Sequence, residues 1–513
     1  MTSQTLVSTL EGFLSGSSSA VVIEDGSVVF DLGQAKYSVS GDSNKCLLHL
    51  WSLERNVVRR VLDVENRGET LRVTVQRMGQ TRPTRLEICR ERDPRTNSAK
   101  RAARVAYQRM IERVLRKEFP ELTIAQLSTA MDLEKSFGPI YARGLLKRGQ
   151  SGFALLGVNR QELQSSIDAA LTFGILWLDV CRQAHAGKLV IEGLKLFLPE
   201  GCSALVRERM AHLNQAAAKW QLYEVGERSE ELKRMEVSDR GNISTRLVHC
   251  PDETQIHTRF SAPVALVKTL MPEVEVGIPS PAEVSFRCHG LEFARARLSA
   301  KPGDFRSAPE IVFGTGPGER VLDGNNFAHF ERLIRSIGEV RHAEGPGESR
   351  WWRLHPERWL ESLVVKNVCA LDNQLDPRWC YSQVPAFSAS DRAMIDVLVL
   401  NRESRLAVIE LKADEDVHLP LQGIDYWSRV AWHHGRGEFQ KFGYFAGQEL
   451  SSQPPLLIMV APALRVHPAT DTLLRYVSPE IDWVLLGIGE RWRKDLRVVF
   501  RKRPEKALLR TAV

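Results

Sequence analysis

Residues 392–430 read RAMIDVLVLNRESRLAVIELKADEDVHLPLQGIDYWSRV, and the C-terminal part of the chain is decided there. Two apolar runs, MIDVLVL and LAVIEL, flank the polar stretch Asn401 to Ser404, which predicts a hairpin of two strands. Each run carries charge where apolar residues dominate: Asp396 in the first, and Glu410 with Lys412 closing the second. An ionised carboxylate in such a run is costly unless it is paired or bound to a cation. Glu410 and Lys412 are two apart and project from one strand face. The hairpin sets Asp396 beside Glu410, so two carboxylates and an ammonium converge. Leu411 points away, but its carbonyl is placed to face a cation. Hard oxygen ligands of this kind suit Mg²⁺ or Mn²⁺ rather than zinc.

The surrounding residues extend the pattern. HLPLQGIDYWSRVAWHH reads as a helix on which Gln422 and Tyr426, four apart, share a face, with Arg429 at its edge. Upstream, HPERWLESLVVKNV reads as a helix with Pro356 near its start, and its Glu361 can approach the same spot. DPRWCYSQVPAF precedes the hairpin as a strand. PPLLIMVAPAL, IDWVLLGI and LRVVFRKR follow as strands, with PATDTLLRYV as a helix among them. The order is α-β-β-β-α-β plus an extension.

From about residue 356 to 434 this series resembles the PD-(D/E)XK nuclease superfamily, and within it the NucS-like (EndoMS) mismatch and branched-DNA endonucleases. The matching positions are Glu361 in RWLESLV, Asp396 in MIDVL, Glu410 and Lys412 in AVIELKA, and Gln422 and Tyr426 in LQGIDYW. The proline that precedes the family's aspartate is Ile395 here, and Glu357 competes with Glu361 for the helix position. Residues 1–345 carry no such resemblance. It implies metal-assisted hydrolysis of a phosphodiester. Asp396, Glu410 and the Leu411 carbonyl would hold Mg²⁺ (or Mn²⁺), with Glu361 as an outer or second-metal ligand. Lys412 would orient the attacking water and stabilise developing charge. Gln422 would position that water or a phosphate, with Tyr426 packed behind it.

The rest of the chain predicts a multidomain α+β protein. Residues 1–95 read as a small β-barrel or sandwich: AVVIEDGSVVFDL is a hairpin about Asp25–Gly26, further alternating runs follow, and Leu6, Leu10 and Phe13 have helical spacing ahead of them. Residues 96–185 read as a helical region. It opens with a basic helix that Asn97 or Ser98 can cap, with Ala103, Ala106, Met110 and Val114 as its apolar stripe. Residues 186–345 read as an α/β middle domain and 351–513 as the nuclease-like domain, with EGPGES (344–349) as the linker. GTGPGER lacks both the dinucleotide and the Walker pattern and reads as a structural turn.

Composition bounds the function. The chain has 513 residues, 26% charged and 43% hydrophobic, with a net charge of +7. That excludes disordered, collagen-like and coiled-coil classes, and no apolar run approaches a membrane span. Eight cysteines without CxxC spacing read as reduced, mostly buried thiols of a cytoplasmic protein. Residues 51–120 hold 18 Lys/Arg against 9 Asp/Glu, and residues 491–510 hold 9 against 2, so the remainder is net acidic. The candidate phosphate contacts are therefore Arg101, Arg104, Arg109 and Arg113 on the basic helix and Arg429 beside the site. Arg491, Arg493, Lys494, Arg497 and Arg501 flank the last strand. His433 and His434 read as charge partners of a helix C-terminus. Trp359, Trp427 and Trp432 read as core.

The leading reading is a metal-dependent DNA endonuclease of repair or phage defence, acting on double-stranded or branched DNA, with a homodimer left open. The alternative is a nucleic-acid-binding or assembly protein with a degenerate nuclease fold. A third reading is an RNA-directed or nucleotide-activated nuclease with the middle domain as sensor, which no phosphate-binding motif supports.

Overall fold

A computed structural model of the chain describes residues 3–15, 20–24, 27–32, 36–42, 45–51, 56–68, 70–77, 83–89, 97–132, 137–240, 243, 245–300, 307–315, 318–388 and 394–504. Asp25, Gly26 and Gly316, and the side chains of Asn97 and Ser98, lie outside them, so the expected hairpin turn, part of GTGPGER and the helix cap are not described. The chain is mixed α+β with several sheets and divides into two units.

The first unit comprises Met1–Ala170, Leu196–Cys202 and Tyr223–Arg234. Helix α1 (Ser3–Ser15) lays Leu6, Leu10 and Phe13 into the core, as their spacing predicts. Seven alternating strands follow: β1 (Val21–Glu24), β2 (Ser27–Asp31), β3 (Lys36–Asp42), β4 (Lys45–Trp51), β5 (Asn56–Arg67), β6 (Thr70–Arg77) and β7 (Pro83–Cys89). They form an antiparallel sheet in the order β2-β1-β7-β6-β5-β4-β3. Helix α2 (Asn97–Glu118) buries Tyr107, Met110, Ile111, Val114 and Leu115. The expected stripe is thus shifted: Ala106 is exposed, because the larger Tyr107 and Ile111 withdraw more apolar area.

Residues 123–158 correct a further expectation. Instead of helix they form β8 (Thr123–Ser128), β9 (Tyr141–Arg148) and β10 (Ser151–Val158), with α3 (Gln164–Asp168) after them. β9 and β10 are buried nearly throughout, so the period-two signature of a half-exposed strand is missing from their sequence.

The second unit comprises Leu171–Lys195, Ser203–Leu222 and Met235–Val513. Helix α4 (Ala170–Ala184) belongs to it but for its first residue, while β11 (Val190–Pro199) and β12 (Lys219–Gly226) are divided between the units. Between those two strands lies α5 (Ala204–Ala211); after them come β13 (Glu231–Met235), which belongs to the first unit but for its last residue, and β14 (Thr245–Leu247). A five-stranded antiparallel sheet of β15 (Glu275–Ser280), β16 (Glu283–Cys288), β17 (Leu291–Ala300), β18 (Ser307–Phe313) and β19 (Arg320–Val321) follows α6 (Glu253–Arg259) and α7 (Ser261–Leu270). Helix α8 (Phe327–Val340) packs Phe330, Ile334 and Ile337 into the same core. The expected linker 344–349 lies inside this unit. Just before it, the buried Arg341 donates to the carbonyls of Cys288, His289, Trp351 and Leu354.

The element order expected after Trp351 is observed. Helices α9 (Arg350–Arg353) and α10 (Pro356–Lys366) lead into β20 (Leu375–Ser388), β21 (Met394–Asn401) and β22 (Leu406–Leu411). Then come α11 (Leu419–Gly435), α12 (Glu438–Lys441), β23 (Leu456–Pro462), α13 (Thr470–Arg475), β24 (Trp483–Ile488) and β25 (Val498–Lys502). The sheet order is β14-β20-β21-β22-β23-β24-β25, with β22, β23 and β24 parallel to one another. One core holds Trp359, Leu360 and Val364 of α10 against Val397, Val399, Ile409 and Leu411. Another gathers Leu398, Leu400, Leu406 and Val408 with Val430 of α11. Alternate residues of β21 and β22 thus enter different cores, as the pleat requires.

Candidate active site

The β21–β22 register pairs Val397 with Ile409 and Leu398 with Val408, so one step further Asp396 faces Glu410. There the ladder gives way to a side chain: the Leu411 N–H donates to Asp396 Oδ2 at 3.0 Å. Leu411 thus brings this donor to the site beside the carbonyl that the sequence assigns to it. Glu410 is 2% exposed, and its Oε1 lies 3.2 Å from Lys412 Nζ. The same ammonium stands 3.8 Å from Asp416 and 3.9 Å from Glu357. Glu410 Oε2 is buried with no hydrogen-bond partner, and so is Gln422 Oε1 of α11.

Helix α10 supplies both glutamates that the sequence left in competition. Glu361 is buried and accepts at Oε2 from Arg358 Nη1 (2.9 Å) and Gln383 Nε2 (2.8 Å). Glu357 is half-exposed and faces Lys412. Tyr426 packs against the β21 and β22 side chains of the α11 core.

The electrostatics describe a site rich in acid. Burial and the neighbouring Asp396 charge push Glu410 well above the usual carboxylate range. Burial raises Asp396, opposed by the Leu411 N–H and Lys412. Burial raises Glu361 from the usual 4.5 to about 7, and raises Glu357 as well. Burial works against the charge of Lys412, yet Glu410, Glu357 and Asp416 together hold its ammonium above the ordinary lysine value. Burial and the Glu410 and Asp396 charges raise Tyr426. Carboxylate and amide oxygens with two orphaned acceptors form a hard-donor set short of one cation, and these residues fit a divalent ion. Among the described residues, however, no three His, Cys, Asp or Glu side chains are already closed into a metal cluster.

The candidate phosphate contacts divide. Arg429 is buried, which corrects its expected place at an accessible edge. Arg493 is stacked over Trp352, Trp492 and Trp359 at 4.0, 4.2 and 5.0 Å, so it is a packing element rather than a surface cation. Lys494 pairs with Glu344 and Arg501 with Asp372, each at 2.6 Å. Arg491 and Arg497 are exposed. On α2, Arg101 and Arg109 are exposed, Arg104 pairs with Glu162 at 2.6 Å, and Arg113 pairs with Glu230. His433 is buried between Glu438 and Thr245, and burial lowers the pKa of His434. Of the eight cysteines, Cys46, Cys181 and Cys288 are buried and the others half-buried.

Sequence reasoning missed Arg358 and Gln383. Arg358 had a signal, lying three residues before Glu361 on one helix face. Gln383 had none, because its partner is on another element. Both also line a cavity of about 680 Å³ with Arg287, Arg295 and His355. Compared with known proteins, the chain matches no family model and no curated protein.

Proposed function

We propose that the chain is a metal-dependent endodeoxyribonuclease whose C-terminal sheet is a PD-(D/E)XK nuclease domain. The observation that carries this reading is Glu410: a buried carboxylate with one lysine shared among three acids and one oxygen left without a partner. A purely structural ion pair has no reason to leave that oxygen unmet. The order of α10, β20, β21, β22, α11 and β23, and the register that puts Asp396 beside Glu410, support the fold assignment. The N-terminal sheet with α1 is read as a small barrel or sandwich that binds substrate or pairs two copies.

Asp396 and Glu410 would hold Mg²⁺ or Mn²⁺, with Glu361 beside them; the chemistry the ion supplies when bound is neutralisation of the phosphoryl oxygens. Lys412 keeps its proton, donates to the attacked phosphate and orients the incoming water. Gln422 Oε1 accepts a hydrogen bond from that water. Tyr426 closes the α11 side and excludes bulk solvent. Exposed Arg491 and Arg497 contact the DNA backbone.

Incubation with duplex, mismatched, branched and single-stranded DNA and with RNA, in Mg²⁺ and in EDTA, tests the reading. Cleavage should need the metal and vanish in Asp396→Ala and Lys412→Ala. A second reading, a binding or assembly protein on a degenerate nuclease fold, is favoured by the lack, among the described residues, of three His, Cys, Asp or Glu side chains grouped to hold a metal. Calorimetry separates the two: an intact site takes up Mn²⁺ and loses it in Asp396→Ala.

A further inference from the structure

The β20–β21 ladder pairs Ser382 with Val397 and Val384 with Ile395, so Gln383 stands opposite Asp396. Asp396 in turn stands opposite Glu410. Gln383, Asp396 and Glu410 therefore form one row across three strands. At Gln383 the backbone leaves the extended conformation: φ is +53°. The other non-glycine residues with positive φ among the described residues lie in turns and loops, whereas Gln383 is inside a strand. A left-handed glutamine there is unfavourable by roughly 1 kcal/mol or more and persists only where neighbours hold it. Its side chain accounts for the holding. Nε2 donates to Glu361 Oε2 at 2.8 Å, while the strand register keeps Gln383 across from Asp396.

We propose that Gln383 is a positioning residue: its amide ties Glu361 of α10 to β20 at the point that faces Asp396 of β21, and so sets the spacing of the carboxylates that receive the metal. This rests on the nuclease reading and deepens it. Arg358 shares the same Glu361 oxygen but reaches it from within α10, so it cannot fix the helix against the sheet. Gln383 is the residue that does so from β20. The five-stranded sheet anchors the other flank of α10, where Glu275 of β15 accepts from Ser362 and Lys366. Gln383 thus adds a polar contact from β20 to the apolar packing of Trp359, Leu360 and Val364 that seats α10 on the site strands.

The test uses the full chain with three substitutions: Gln383→Met keeps length and removes the amide, Gln383→Asn keeps an amide that cannot reach and tolerates positive φ, and Glu361→Gln probes the partner. Steady-state cleavage of duplex DNA in Mg²⁺ and calorimetric Mn²⁺ titration are the readouts. Both Gln383 variants should lower kcat at least tenfold, leave KM within twofold and weaken Mn²⁺ binding about tenfold, with thermal unfolding retained. In the Glu361→Gln background, Gln383→Met should add less than a further twofold. Unchanged kcat and Mn²⁺ affinity in Gln383→Met, beside an active wild type, overturns the proposal alone. A full further tenfold loss in the Glu361→Gln background overturns it too. A wild-type chain that neither binds Mn²⁺ nor cuts removes the nuclease reading, and this proposal with it.

Discussion

Two buried glutamates, one in each unit, solve the same problem in opposite ways. Glu24 at the end of β1 is 8% exposed and receives a two-pronged contact from Arg59, Nε at 3.3 Å and Nη2 at 3.2 Å. Its charge is met in full, and the pair ties two strands of one sheet. Glu410 is more deeply buried, shares a single lysine with Glu357 and Asp416, and keeps one oxygen without a partner. The first arrangement is complete within the protein; the second leaves a carboxyl oxygen with no hydrogen-bond partner. Burial of charge alone does not separate a structural acid from a functional one. The state of its partners does.

The largest expected effect follows from Glu410. Glu410→Gln and Asp396→Ala should each lower Mg²⁺-dependent cleavage by about a thousandfold, roughly 4 kcal/mol of transition-state stabilisation. Glu24→Gln should leave cleavage unchanged in the same assay. Equal losses from both glutamates would erase the distinction.

Stability should reverse the order. Glu24→Gln strands the Arg59 guanidinium and should lower unfolding stability by about 3 kcal/mol in urea titration. Metal-free Glu410→Gln should melt at or above the wild-type temperature, because it removes a carboxyl that burial already disfavours ionising. A Glu410→Gln chain that melts well below wild type in EDTA would make that acid structural.

A smaller effect comes from pH. In the fold Glu361 titrates near 7 rather than near 4.5 because burial disfavours its charge. Between those values the folded chain keeps a proton that the unfolded chain has released. The stability of the metal-free protein therefore falls as pH rises through this window, on the order of 3 kcal/mol in total. Melting in EDTA at about pH 5 and about pH 7.5 checks the sign, and Mn²⁺ should restore more stability at the higher pH.

The smallest effect concerns the basic segment. Arg491→Ala with Arg497→Ala should reduce the salt slope of DNA affinity by about two, one for each lost phosphate contact. Arg493→Ala should leave that slope alone and cost stability, since its guanidinium sits among three tryptophans. A flattened slope from Arg493→Ala would return it to the interface.

The legible parts of the sequence were those where side-chain period and strand pairing are local. The hairpin after Asn401 places Asp396, Glu410 and Lys412 together over a few residues of chain, and the two-residue period puts the last two on one face. The helix bearing Gln422 and Tyr426 was legible for the same reason. The strands over 141–158 were not, because β9 and β10 are buried nearly throughout and lose the alternation that would mark them. The exposure of single arginines was equally hidden, since Arg429, Arg493 and Arg491 are chemically alike and differ only in what surrounds them.

By itself the sequence determined the element order from α10 to β25, the placing of Asp396 beside Glu410 and Lys412, and the amphipathic seating of α1. Spacing along the chain is enough for these. Only the tertiary structure decided that Gln383 faces Asp396, that Glu361 answers to β20, and that Glu410 keeps an oxygen without a partner. Those facts depend on register between distant segments and on which groups burial brings within hydrogen-bond reach.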